Sequence, residues 1–169
     1  VRSAFINSLV QNFASITNLR SSEKFVKMLE GHHPDFLFRH IELGLSSFPY
    51  QVFVDAKERT YQGMLLSILY GMGFDLLSER TTNTGRIDIV LEVSSTTYII
   101  ELKLDGSSDK ALKQIHDKRY FKPYIHKGKT IVIIGANFSS KDRNISSWKG
   151  ELLSEKGEII RELSPIKKD

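Results

Sequence analysis

Two apolar segments, separated by a short polar turn, carry charged side chains in their interiors. The first spans residues 85–92, GRIDIVLE, and the second spans residues 98–103, YIIELK. Alternation of side chains along a β-strand gives each segment one apolar face and one mixed face. Because an ionised carboxylate inside a strand core costs several kcal/mol without a partner or a metal, we expect Asp88, Glu101 and Lys103 to form a site.

The pairing of the two strands can be predicted from the turn between them. A tight antiparallel turn at residues 95–96 would set Val90 opposite Glu101 and Asp88 opposite Lys103. Opposite residues share a face, so Asp88 and Glu101 become diagonal neighbours that can converge on one small ion. A slip by one residue would mix the apolar and charged faces, and the apolar pattern therefore favours this register.

The composition is that of an ordinary soluble globular protein. The 169 residues are 40% hydrophobic and 26% charged, which suits one domain with or without an appendage. No apolar run is long enough to cross a membrane, so we expect a cytoplasmic protein without membrane association. The absence of cysteine excludes disulfides, thiolate zinc sites and cysteine nucleophiles. The chain begins at Val1 rather than methionine, and we interpret it as a piece of a longer protein.

Positive charge is concentrated after the second strand. The net charge is only +4, but residues 103–129 contain eight basic and three acidic side chains. A basic stripe beside carboxylates suits a polyanion whose backbone must be held, so we expect Lys110, Lys113 and Lys118 to contact such a partner. A solvated helix face is the alternative interpretation of the same stripe.

Periodicity predicts a mixed α/β fold preceded by helices. Helical spacing of apolar residues indicates helices at residues 5–13, 21–29, 35–45, 56–70 and 108–120. Apolar alternation and continuous apolar runs indicate strands at residues 74–80, 86–93, 97–104, 130–136 and, as an edge strand, 145–153. We therefore expect a mixed central β-sheet flanked by helices, with a core in the order α-β-β-β-α-β. The expected divisions are a helical extension at residues 1–54, the main domain at 55–155 and a polar tail that frays at 156–169.

The charged motif and the order of elements together resemble a known family. An aspartate followed on the next strand by Glu-x-Lys, within α-β-β-β-α-β order, resembles the PD-(D/E)xK nuclease superfamily. The segments GRID, YIIELKLD, ALKQI and KRY are similar to the nuclease-like domain found behind an AAA-ATPase-like domain in bacterial proteins. The resemblance covers residues 56–150. It implies a restriction-endonuclease-like core, metal-dependent hydrolysis of nucleic acid, most of all DNA, and an ATPase-like domain that precedes this sequence.

The resemblance assigns a metal site to the two charged strands. Asp88 and Glu101 would ligate Mg²⁺, with Mn²⁺ as a substitute, and the backbone carbonyl of Leu102 would be an additional ligand. Lys103 would orient or help to deprotonate the attacking water and would offset the charge of the transition state.

Further residues take roles by the same resemblance. Gln114, on the helix after the second strand, would lie near the metal or the phosphate. Glu58, on the first helix of the core, matches a position where several branches have an acidic residue, and Gln62 lies one turn later on the same face. Arg86, two residues before Asp88, is a candidate phosphate clamp, and the lysines of the basic stripe would bind nucleic acid.

Structural roles are the alternative for each of these residues. The motif residues could form an exposed ion pair on an amphipathic hairpin, which contributes little energy. Glu58 and Gln114 could be solvated helix residues, and Arg86 could pair with Glu101 or Glu79. Two rival functions follow for the whole domain. One is a catalytically silent domain that binds nucleic acid or protein and regulates the ATPase-like partner, and the other is an interaction module that docks through its N-terminal helices.

Overall fold

The computed structural model of the chain describes residues 23–74, 76–82 and 85–166. Its helices are α1 (Glu23–Glu30), α2 (Pro34–Ser46), α3 (Glu58–Gly71) and α4 (Ser108–Lys118), with 3₁₀ turns at Tyr50–Phe53 and Lys122–Tyr124. Its strands are β1 (Leu76–Thr82), β2 (Gly85–Glu92), β3 (Thr96–Leu104), β4 (Thr130–Ser139), β5 (Asn144–Leu153) and β6 (Ile159–Leu163). The helix predicted at residues 5–13 lies outside the described residues.

One mixed sheet contains the six strands in the order of the sequence. β3 and β4 run parallel and are connected through α4, whereas every other neighbouring pair is antiparallel. A parallel pair needs such a crossover, because a tight turn can join only antiparallel strands. The predicted core order is therefore confirmed as α3, β1, β2, β3, α4 and β4.

Helices cover both faces of the sheet. Leu65 of α3 packs in the same apolar cluster as Ile100 and Leu102 of β3, and α1 and α2 contribute to this cluster as well. Ile115 of α4 packs in a second cluster with Ile99, on the opposite face of β3. β3 is thus buried on both sides up to Leu102, and Glu101 lies between two layers of helices. In the part of the chain that the structure describes, none of the helices has the length and apolar character needed to span a bilayer.

The turn between β2 and β3 lies one residue earlier than expected. Hydrogen bonds between Val93 and Thr96 close a two-residue turn at 94–95, and Val90 pairs with Ile99. The predicted register, which set Val90 opposite a residue two positions further along β3, is wrong. A difference of two residues keeps the parity of the strand, so the apolar pattern that was used to choose the register fits both pairings equally well.

Residues 154–163 form a turn and a strand, which corrects the expectation of a fraying tail over this part of residues 156–169. Ser154 and Glu158 close a turn that contains Gly157 at a positive φ of 83°, and β6 then pairs with β5. β5 is therefore an internal strand rather than the expected edge strand. Beyond β6, the amide of Ile166 donates to Asp35 Oδ1 at 2.8 Å and ties the segment to the start of α2.

Candidate metal centre

β2 and β3 separate at the aspartate of the motif. Their paired residues end at Ile89 and Ile100, so the predicted pairing of Asp88 with a lysine is wrong as well. Ile87 packs in the same cluster as Val90, although strict alternation would put these two side chains on opposite faces. The pairing of β2 with β1 keeps one register past Asp88, so β2 contains no bulge there and only its pairing with β3 ends.

The Asp88 side chain takes over a role that a backbone carbonyl has in a regular ladder. Its Oδ2 accepts a hydrogen bond from the backbone amide of Leu102 at 3.0 Å. Gln62 of α3 donates through Nε2 to Asp88 Oδ1 at 3.4 Å and to the Asp88 backbone carbonyl at 3.3 Å. Burial raises the pKa of Asp88, while the Leu102 amide and the charge of Lys103 oppose this shift. The carboxylate is thus placed where the two strands part and is held from both sides.

Glu101 is the most deeply buried acid of the site. Only 2% of its surface is exposed, and its Oε1 accepts hydrogen bonds from Gln114 Nε2 and, at 3.3 Å, from Lys103 Nζ. Its Oε2 is buried and has no hydrogen-bond partner among the residues that the structure describes. Burial first, and the negative charge of Asp88 second, raise the pKa of Glu101 to about 8. Glu101 Oε2 is therefore a buried oxygen whose lone pairs are not used by the described residues, and a bound cation could use them.

Lys103 and Glu58 lie at the more exposed side of the site. Lys103 Nζ is 3.3 Å from Glu101 Oε1 and 4.0 Å from Glu58 Oε1. Glu58 also accepts, through Oε2, a hydrogen bond from the backbone amide of Leu104 at 3.1 Å. Its position in the first turn of α3 favours a negative charge, because backbone amides point outwards there. Glu101 is buried, so it does not belong to an exposed ion pair on an amphipathic hairpin, which was the alternative interpretation. Glu58 itself is exposed.

A close approach between α4 and β4 determines where Gln114 lies. Ser107 caps α4 by accepting from the Lys110 amide at 3.1 Å. Gly135 of β4 lies beneath this helix, where a Cβ would come within 2.3 Å of the Ser108 carbonyl oxygen and 2.4 Å of the Leu112 amide. Because Gly135 is also the β4 partner of Glu101, the absence of its side chain lets α4 bring Gln114 onto Glu101.

The structure brings five predicted site residues together and adds a neighbour that the prediction had missed. The five are Asp88, Glu101, Lys103, Gln114 and Glu58. The additional residue is Tyr120, which is buried and whose hydroxyl accepts a long hydrogen bond of 3.4 Å from Gln114 Nε2. The only sequence signal for it is an aromatic residue shortly after the end of α4, within the segment KRY.

Comparison with known proteins decides the family. The sequence model of the PD-(D/E)XK nuclease superfamily matches residues 56–148, which is more than half of the chain. The chain belongs to this superfamily. A mixed sheet flanked by helices agrees with the restriction-endonuclease-like fold.

One relative extends far beyond the matched region. The chain is 28% identical over 114 residues to an uncharacterized protein in the vnfD 5′ region of Azotobacter chroococcum mcd 1. The alignment covers 64% of this chain but only 22% of the relative. The chain therefore corresponds to about a fifth of that protein's length.

The donor set fits the divalent metal that PD-(D/E)XK nucleases typically use. Asp88 and Glu101 are hard oxygen donors, and Glu101 Oε2 is a buried oxygen that no described residue satisfies. Mg²⁺ commonly takes only one or two carboxylates and keeps several water ligands. Over the described ranges no group of three or more His, Cys, Asp or Glu side chains could hold a metal. The site therefore suits a cation with few protein ligands, and not one that needs a full cage of side chains.

The basic residues predicted to bind a polyanion lie on two elements, β2 and α4, that also carry residues of this site. Arg86 is exposed on β2, and its charge lowers the pKa of Asp88 against the larger effect of burial. Lys110, Lys113 and Lys118, here called the α4 lysines, are exposed on the helix that carries Gln114. Lys113 forms an ion pair of 2.6 Å with Asp117.

Proposed function

We propose that this chain is a metal-dependent nuclease that hydrolyses phosphodiester bonds in DNA. The observation that carries the proposal is the Glu101 carboxyl group, which is 2% exposed and has one oxygen without a partner in the described part of the chain. An ionised carboxylate in such a place is costly unless a cation compensates it. Membership of the PD-(D/E)XK superfamily supports the same activity.

In this proposal each residue of the centre has a separate task. Asp88, Glu101 and the backbone carbonyl of Leu102 hold the cation, which is Mg²⁺ or, as a substitute, Mn²⁺. When bound there, such a cation would polarise the scissile phosphate and lower the pKa of a water molecule. Lys103 orients the attacking water, and its ammonium offsets the charge that develops on the phosphate oxygens. Gln114 fixes the orientation of Glu101 through its hydrogen bond to Oε1.

The surroundings of the centre supply the contacts to the substrate. Glu58 keeps the Lys103 ammonium beside the carboxylates, at 4.0 Å. Arg86 and the α4 lysines bind phosphates of the nucleic acid strand, which is a role that needs charge and no base contacts. We also propose an attached AAA-ATPase-like domain as the partner, in keeping with the greater length of the relative.

A cleavage assay with matched variants tests the proposal. We expect the protein to cut plasmid or linear DNA in Mg²⁺ or Mn²⁺ and to be inactive in EDTA. Glu101→Gln and Lys103→Ala should each lose at least 100-fold in rate, because removal of a group that stabilises the transition state has effects of this order. Glu92→Gln and Lys129→Ala are the controls, since these two residues pair with each other at the end of β2 that leads into the turn to β3.

Two outcomes would contradict the nuclease proposal. Equal rates for the wild type and the two site variants would show that the activity comes from elsewhere. A wild-type protein that binds DNA and cuts none, with either ion, would favour the silent regulatory domain instead. Titration calorimetry of Mg²⁺ against the wild type and Glu101→Gln separates loss of the ion from loss of chemistry.

A further inference from the structure

Asp88 is held by a side chain that has no task in the proposed reaction. Gln62 lies in α3 with only 6% of its surface exposed. Its Nε2 lies 3.4 Å from Asp88 Oδ1 and 3.3 Å from the Asp88 backbone carbonyl, so one amide group donates to both. The other carboxylate oxygen of Asp88 accepts from Leu102. Among the described residues, each oxygen of this carboxylate therefore has one donor.

One turn of α3 forms hydrogen bonds to both β2 and β3 near the point where these strands separate. Gln62 reaches Asp88 on β2, while Glu58, four residues earlier, accepts from the Leu104 amide on β3 at 3.1 Å. Side chains four residues apart lie on the same face of a helix. The spacing of the two contacts on α3 therefore helps to determine the distance between Asp88 on one strand and Glu101 on the other.

We propose that Gln62 is a positioning residue for the metal centre, and this inference rests on the proposed function. The terminal torsion of an aspartate is broad, so a carboxylate without restraints can turn away from the direction in which a cation approaches. The Gln62 amide restricts that rotation and leaves further lone pairs of Asp88 free for a ligand.

A glutamine suits this position better than a lysine or a glutamate would. A lysine would place a second positive charge against the cation, and a glutamate would add negative charge without donating a hydrogen bond. A neutral donor orients the carboxylate and does not alter the charge of the site. Partners of this kind typically change the affinity for a metal by about 10–100-fold.

Gln62→Met is the variant that tests the proposal, because methionine fills a similar volume and cannot donate. Met64→Ala is the matched control, since Met64 is buried in the core from the same helix and is not part of the site. The first readout is Mg²⁺ affinity by calorimetry, together with the Mg²⁺ dependence of cleavage. The second readout, in EDTA, is hydrogen exchange at the Leu102 amide, which reports on its bond to Asp88 without any metal.

We expect Gln62→Met to bind Mg²⁺ about 10–100-fold more weakly and to recover most of the wild-type cleavage rate at saturating Mg²⁺. Its Leu102 amide should exchange faster than that of the wild type, whereas Met64→Ala should keep wild-type affinity even if it is less stable. Affinity within twofold of the wild type would overturn the inference, whatever the exchange rate. A wild-type protein that binds no divalent ion would instead defeat the proposed function, and the inference with it.

Discussion

Burial, a neighbouring charge and the proposed ion binding all act on the charge state of one residue, Glu101. Its side chain lies between two layers of helices, beside a second acid, with one oxygen satisfied by two donors and the other by none in the described part of the chain. Both the loss of hydration and the charge of Asp88 favour the neutral acid. A cation would reverse that preference, so the charge state of Glu101 depends on whether the centre is loaded.

We expect the metal-free protein to lose stability as the pH rises from 6 to 9. The pKa of Glu101 is about 8 in the folded protein, against 4.5 for an ordinary glutamate such as that of the unfolded chain. The stability that Glu101 contributes is therefore complete below about pH 4.5, declines as the pH rises and is lost once the pH passes 8. Glu101→Gln should remove about 2–3 kcal/mol of this decline, because each pKa unit corresponds to about 1.4 kcal/mol. Urea unfolding in EDTA at both pH values measures the effect.

Glu92→Gln is the control for this pH effect, since Glu92 is exposed and pairs with Lys129. It should follow the wild type at both pH values. Parallel stability curves for the wild type and Glu101→Gln between pH 6 and 9 would contradict the assignment of a buried, largely neutral Glu101.

At the level of single residues, the sequence indicated the two acids and the lysine, the family resemblance added Gln114 and Glu58, and the contact of Gln62 with Asp88 was not predicted. Charged residues inside apolar strands are visible in a sequence, because burying them needs compensation. The contact of Gln62 with Asp88 joins residues 26 positions apart, on a helix and a strand that are not neighbours in the sequence. Nothing in the local pattern encodes this contact, since it depends on how α3 packs on the strands.

Among the elements, the packing of α4 on β4 has the clearest consequence for the site. We expect Gly135→Ala to destabilise the protein by about 1–3 kcal/mol, as overpacking of a tight contact does. The new Cβ would meet backbone atoms of α4, which cannot rotate away, so the helix must shift and carry Gln114 off Glu101. Urea unfolding and the cleavage rate should both decline.

Gly63→Ala provides the comparison for the Gly135 prediction. Gly63 lies on the exposed side of α3, and a Cβ there would have no atom within 4 Å. Alanine is preferred over glycine in a helix, so this variant should be about 0.5–1 kcal/mol more stable. If both alanine variants had the same effect, the close approach would not be what fixes α4.

The order of the elements was predictable, whereas the strand register was not. Apolar periodicity distinguishes helices from strands, and it correctly gave the order of the core from α3 to β4. The register between β2 and β3 depends on which two residues form the turn, and a two-residue slip leaves the faces unchanged. β6 was missed because its residues are mostly exposed, so it has no apolar face for the pattern to reveal.

At the scale of the whole molecule, several exposed basic side chains lie on elements that also carry residues of the acidic centre. The α4 lysines project from the helix that also carries Gln114, and Arg86 is on the strand of Asp88. This arrangement would hold a polyanion across the carboxylates, where repulsion would otherwise keep it away. Binding of nucleic acid should therefore be strongly dependent on salt.

We expect Lys110→Ala to weaken DNA binding more than Lys113→Ala does. Lys110 has no acidic partner among the described residues, whereas Lys113 is already paired with Asp117 at 2.6 Å. Binding measured in EDTA at several salt concentrations should give a slope of log K against log salt that is smaller by about 0.9 for Lys110→Ala. Lys113→Ala should change the slope less, because the carboxylate has neutralised much of its charge. Equal slopes for both variants and the wild type would mean that α4 does not contact the phosphates, and the nucleic acid would then have to approach the centre from the side of Arg86.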